Sequence, residues 1–177
     1  MIKEIEALRS EGNHEEAYFK SLWTIAACEA NKPNSRKLTG LLGRIAKQVT
    51  NLMFDKRSIN AVDTCIRYGN GDATKEELEL AAELAGKAFE EEVEDLKSIE
   101  EPVLQEQKQV INGSFAAAAV AFGATVCIRE EFPIFEAAGL ANVTVKAYCC
   151  VYPYDKKEIE KTISDLCWDC LNEELTD

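Results

Sequence analysis

Between Leu38 and Met53 the apolar residues fall at Leu38, Leu41, Leu42, Ile45, Ala46, Val49, Leu52 and Met53. Steps of three and four place them all along one side of an α-helix. Lys37, Arg44, Lys47 and Gln48 occupy the other side. A half-buried strand would need alternate residues to be apolar, and here they are not. The stretch therefore predicts a helix that buries one stripe and carries a basic back.

Helix signals surround it. Asn13 with Glu16, Thr74 with Glu77, and Asp155 with Glu158 each set a capping residue three positions before a glutamate. That spacing lets side chains satisfy the free amide groups of a first turn. After Asn13, Tyr18, Leu22 and Ile25 share one face, with Phe19 and Trp23 beside them. Residues 31–35, with Pro33, read as a break. Asp55 reads as the cap of a helix ending near Tyr68, closed by Gly69 and Gly71, since glycine takes positive φ without strain. From Thr74 a long helix runs to about Ser98. It has Leu78, Ala81, Ala82, Ala85, Ala88, Phe89 and Leu96 inward, and carboxylates on its other face.

Pro102 suits the first turn of a further helix, which becomes apolar on all sides between Phe115 and Ile128. Such a helix belongs at the centre of a bundle. Pro133 opens a helix through Ala138, and residues 143–152 fit either helix or strand. Helix is favoured because no second strand candidate exists to pair with them. The last helix carries Ile159, Ile163, Leu166, Cys167, Cys170 and Leu171 on one stripe. The expected architecture is all-α: residues 1–177 form a single compact bundle of about seven helices around the Ala-rich apolar helix.

Charge bounds the function. The formal net charge is −12, which opposes phosphate backbones and anionic lipid, so direct nucleic-acid and membrane binding are not expected. The charge is segregated. Residues 32–57 hold seven bases and one acid, whereas residues 74–101 hold eleven acids and three bases. Two readings fit: the segments neutralise each other by packing side by side, or the basic one meets a charged partner. The 74–101 helix is the acid source expected to offset the basic back of 38–53. The N-terminal MIKEIEALRSEG carries charges where a leader needs an apolar core, and the apolar run stopping at Arg129 is short for a membrane span. A cytoplasmic location is expected. Seven cysteines, two of them adjacent, do not form a secreted disulfide framework.

Catalytic patterns are sparse. Cys167 and Cys170 form C-x-x-C, but on the apolar stripe of a helix, where core packing suits them better than zinc or redox chemistry. His14 is the single histidine and reads as an exposed first-turn residue. Neither a phosphate-binding glycine loop nor a nucleophile elbow is present in the sequence. No enzyme activity, cofactor or metal is expected. Arg57 stands out because a base in a helix's first turn opposes the helix dipole. An inter-helix ion pair would account for it, as would contact with a partner or ligand. A small-ligand pocket could draw on Arg57, Arg129, Tyr148 and Tyr152.

The stretch D-x-R-[SP]-x-x-A-[VI], a Gly-Asx turn and T-x-E-E-L are carried here by Asp55, Arg57, Ser58, Ala61, Val62, Gly71, Asp72, Thr74, Glu76, Glu77 and Leu78. With the alanine-rich SFAAAAVAFGATV, they resemble segments of Imm5-type immunity proteins and of related helical proteins of phage and bacteria. The resemblance implies an all-α cytoplasmic protein that protects its producer by binding a toxin. On that reading, Glu90, Glu91, Glu92, Glu94 and Asp95 would meet a basic protein partner. The alternative is a phage or mobile-element protein that binds a small ligand or a host-defence component.

Overall fold

The computed structural model describes residues 1–29, 36–98, 134–152 and 154–176. Among them are seven α-helices and one 3-10 turn, and no strand. The helices are α1 (Ile2–Ser10), α2 (His14–Glu29), α3 (Arg36–Lys47), α4 (Lys56–Asn70), α5 (Lys75–Ser98), α6 (Ile134–Val151) and α7 (Lys156–Thr176). The all-α bundle read from the sequence is the observed fold. The expected Pro102-led helix, its Ala-rich continuation and Arg129 lie outside the described residues. So does the side chain of Leu96.

Local chemistry explains most boundaries. The Asp55 carboxylate accepts the Arg57 amide at 2.7 Å and starts α4. Thr74 and Glu77 form the reciprocal box at α5: the Thr74 amide donates to Glu77 at 2.7 Å, and the Glu77 amide donates to the Thr74 hydroxyl at 3.2 Å. Gly71 ends α4 at φ +86°, and its amide and that of Asp72 turn back onto the last carbonyls. α1 is an element the expected helices did not include. It carries Glu4 in its first turn and Arg9 in its last, as the helix dipole favours. Gly12 at φ +77° then reverses the chain into α2.

Two elements differ from expectation. The Leu38–Met53 stretch is not one helix: α3 stops at Lys47 and a 3-10 turn spans Thr50–Leu52. The Gln48 and Val49 amides reach back three residues instead of four, and the Thr50 hydroxyl takes up the Lys47 carbonyl at 3.0 Å. Val49, Leu52 and Met53 are nevertheless buried, so the periodicity records burial through the turn. The second difference is that α6 joins the two expected segments into one helix; through residues 143–151 it bears out the favoured helix reading. Leu140, Ala141, Thr144, Val145 and Ala147 are buried, and the Thr144 hydroxyl folds back onto the Leu140 carbonyl at 3.0 Å.

α1 and α2 run antiparallel, with Glu4 paired to Lys20 and the Thr24 hydroxyl against the Met1 sulfur at 3.0 Å. α2 packs on α7, and α3 also meets α6 and α7. Tyr18, fully buried, donates its hydroxyl to the Asn142 side-chain oxygen at 2.8 Å and ties α2 to α6. Arg9 links α1 to α7, pairing with Asp165 at 2.6 Å and lying 4.9 Å over the Trp168 ring. Most of the buried side chains form one cluster, centred on Tyr18, Leu22, Leu41, Leu42, Ile45, Tyr68, Ile163 and Leu171.

α3, α4 and α5 form an antiparallel series in which α4 stands in the middle. The α3–α4 contact is made through backbone. A methyl placed on Gly40 would lie 2.8 Å from the Gly69 Cα, and one on Gly69 would come closer still to Gly40. One turn on, a methyl on Gly43 would lie 2.8 Å from the Cys65 Cβ. Gly69 is thus not a cap, as the sequence suggested. It lies within α4, one residue before the end, and gives α3 room to approach. Between α4 and α5 the contact is made by Ala61, Ala81 and Ala85.

Gly69→Ala should destabilise the fold by about 1–3 kcal/mol, because the crowding atom is backbone and cannot rotate away. Gly139 in α6 has nothing within 4 Å of an added methyl, so Gly139→Ala should stabilise by about 0.5–1 kcal/mol through helix propensity. Urea melts of the two variants check this. Equal and same-signed effects would mean that the α3–α4 approach is looser than described.

Candidate functional site

Arg57 sits in the first turn of α4, where the helix offers only unpaired amides. The Asp55 cap beside it removes the conflict. The Arg57 guanidinium holds Asp55 through Nε at 3.0 and 3.1 Å and through a terminal nitrogen at 2.6 Å. It then forks to Glu91 of α5, with one contact at 3.1 Å and a second, shorter one. This is an inter-helix ion pair between the start of α4 and the far half of α5. A second rung joins Arg67 to Glu77 at 3.1 Å.

The five acids expected to form a partner-binding face are divided by this network. Glu91 is engaged by Arg57. Glu92 is half-buried beside the same cluster, while Glu90, Glu94 and Asp95 are exposed. Hydrogen bonds from Arg57 hold the Asp55 and Glu91 carboxyls below their ordinary range. Glu92 moves the other way, raised first by burial, then by the neighbouring charge of Asp55 and, to a smaller extent, that of Asp95. The outward row of α5 is Glu76, Leu80, Glu83, Lys87, Glu90 and Glu94, all exposed and spaced by three and four residues. Leu80 is 57% exposed in the middle of it. Lys87 pairs with Glu83 at 2.6 Å, so the row carries net negative charge.

The tyrosines are elsewhere. Tyr148, near the end of α6, packs on Tyr152 with ring centres 4.9 Å apart. The Tyr152 hydroxyl accepts a long bond of 3.4 Å from Asn51 in the 3-10 turn. Neither contact involves Arg57, whose bonds go to Asp55 and Glu91. Two exposed aromatics went unremarked in the sequence: Phe54 at 71% and Tyr154 at 97%. Their place directly outside helix boundaries was the available signal.

At Lys47 the basic back of α3 is offset by α4 and not, as was expected, by α5. α4 stands between α3 and α5. Lys47 pairs with Asp63 of α4 at 2.6 Å, and Arg36 lies 4.8 Å over the Tyr68 ring. Next to this contact an open cleft of about 600 Å³ is lined by Arg44, Lys47 and Gln48, by Asp63, Ile66 and Arg67 of α4, and by Leu166 of α7. The sequence marked three of those residues as basic or polar backing, but not their convergence with the others.

The thiols follow the core reading. Cys65, Cys167 and Cys170 are buried, and burial pushes the Cys65 thiol up to about 12 and Cys167 further up. No group of three or more potential metal ligands gathers among the described residues. His14 opens α2, half-buried where the sequence suggested full exposure. No helix among the described residues is long and apolar enough to cross a membrane. No known protein family, curated protein or solved structure significantly matches the chain.

The carboxyl shifts set a pH dependence. Asp55 and Glu91 bind protons less readily folded than unfolded, so their contribution is present above the ordinary carboxylate range and lost as pH falls through their lowered values. Glu92 has the opposite sign: its contribution is present in acid and lost as pH rises through its raised value. Glu92→Gln should therefore raise the thermal midpoint at neutral pH, with the gain vanishing below about pH 4. Arg57→Gln should lower the midpoint at neutral pH, with a loss that shrinks in acid. Melts across that range decide; a neutral-pH loss from Glu92→Gln would contradict the burial assigned to it.

Proposed function

We propose that the chain is a non-enzymatic acidic binding protein of the immunity or inhibitor type, which neutralises a basic protein partner such as a toxin. The observation that carries this reading is the exposed outward row of α5, Glu76 to Glu94, four acids with Leu80 and a Lys87 that pairs with Glu83. A rigid helix presents these charges at fixed spacing. Arg57 and Arg67 hold that helix to α4 through Glu91 and Glu77, on the flank of the row. The net charge of −12 extends the attraction beyond the contact itself. Toxins that attack nucleic acid need basic active sites, and an acidic face complements one. The resemblance of the Asp55–Leu78 stretch to immunity proteins points the same way, and in that setting the protein works in the producer's cytoplasm without a cofactor.

Within this reading Glu90 and Glu94 carry the contact, with Leu80 as an apolar anchor about 15 Å earlier on the same row. Glu91 is taken up by Arg57, and Glu92 is half-buried. The pocket alternative built on Arg57, Arg129, Tyr148 and Tyr152 has less support, because Arg57 is engaged on both sides.

Affinity purification from the native host should recover a basic protein that binds at micromolar concentration or tighter. Its on-rate should fall as salt rises, and Glu90→Lys combined with Glu94→Lys should slow association about tenfold or more. A partner indifferent both to salt and to this double substitution would sink the proposal, and so would a chain that retards RNA in a gel at moderate salt.

A further inference from the structure

Several cations among the described residues are neutralised in place. Lys47 meets Asp63 at 2.6 Å, Arg67 meets Glu77 at 3.1 Å, and Arg57 meets two carboxylates. Arg44 is different. It is half-buried in the wall of the cleft between α3, α4 and α7, and no carboxylate among the described residues pairs with it. Its backbone carbonyl accepts a bond from the Gln48 side chain at 3.2 Å, which holds Gln48 alongside it one turn on. The same cleft contains Ile66 and Leu166, both half-buried.

From this geometry we infer that the cleft binds a small carboxylic acid with an apolar body. The head group follows from the charge. Among the described residues that line the cleft, Lys47 and Arg67 are balanced by Asp63 and Glu77, which leaves the positive charge of Arg44. A monoanion matches it, and the planar guanidinium offers a carboxylate two parallel donors. The body follows from Ile66 and Leu166, which give apolar surface within reach of that head group. The size follows from the volume. A cleft of about 600 Å³ lies within the roughly 300–1,000 Å³ usual for small-molecule sites, although it is open on one side.

The overall charge argues against a casual anion. A net −12 repels a free carboxylate at long range, and only a local arrangement reverses that within about one Debye length, near 8 Å at physiological salt. This cleft is separate from the outward row of α5, and its occupancy does not depend on the toxin-binding reading.

The test is a titration of the intact chain with 3-phenylpropionate, followed by backbone amide shifts in two-dimensional nitrogen–proton NMR. Saturable shifts at Arg44, Gln48, Ile66 and Arg67 are expected. Arg44→Gln should weaken binding about tenfold, the usual size of a lost charge-assisted contact, and Arg44→Lys by less, since it keeps charge but loses the fork. Lys146→Gln, an exposed change on α6, should leave it unaltered. Acetate tests the head group alone and 3-phenylpropanol the body alone, and both should bind more weakly. The inference is overturned by shifts that do not saturate through the millimolar range or by equal binding to Arg44→Gln. Either fragment matching the whole ligand would also overturn it.

Discussion

The contact of Gly40 with Gly69 sets the geometry of half the molecule. Two helices can approach until their backbones touch only where neither presents a side chain. Gly43 against Cys65 repeats the condition one turn along. α4 is thereby held close to α3, and on its other face Ala61 receives Ala81 and Ala85 of α5. Once α4 is fixed in the middle, α5 lies one helix away from α3. Lys47 and Arg36 of α3 accordingly meet Asp63 and Tyr68 on α4.

What is local was legible in the sequence. Asp55 and the Thr74–Glu77 box act within four residues, so their spacing alone announces them. The buried faces of α2 and α7 were also legible, because Tyr18, Leu22 and Ile25, and Ile159, Ile163 and Cys167, keep the helical period. α1 is written there as well, in Ile2, Ile5 and Leu8 three apart, but nine residues give a weak signal. What joins distant positions was not legible. Gly69 looks like a cap until Gly40 is placed beside it. The end of α3 at Lys47 is invisible to periodicity, since Val49, Leu52 and Met53 stay buried through a tighter turn.

The candidate site divides in the same manner. Arg57 announced itself through its unfavourable place in a first turn, but its partner Glu91 lies 34 positions on. A run of carboxylates in sequence spreads around a helix at about 100° per residue, so neighbours in the chain point in different directions. Glu90 and Glu94 share the outer row, whereas Glu91 turns to Arg57 and Glu92 is half withdrawn from water. Composition predicts how acidic a helix is. Only the packing of its inner face says which of its acids remain available.

The bond from the Tyr18 hydroxyl to Asn142 has a consequence for alignment. Apolar contacts between two helices are forgiving of translation, since one leucine-sized knob can serve for another. A polar pair buried among them is not. Sliding α2 along α6 by one turn, about 5.4 Å, would leave both groups without a partner, at roughly 1–3 kcal/mol for each. The Tyr18–Asn142 bond therefore acts as a register pin, selecting one setting of α2 on α6 from several that oily packing alone would accept.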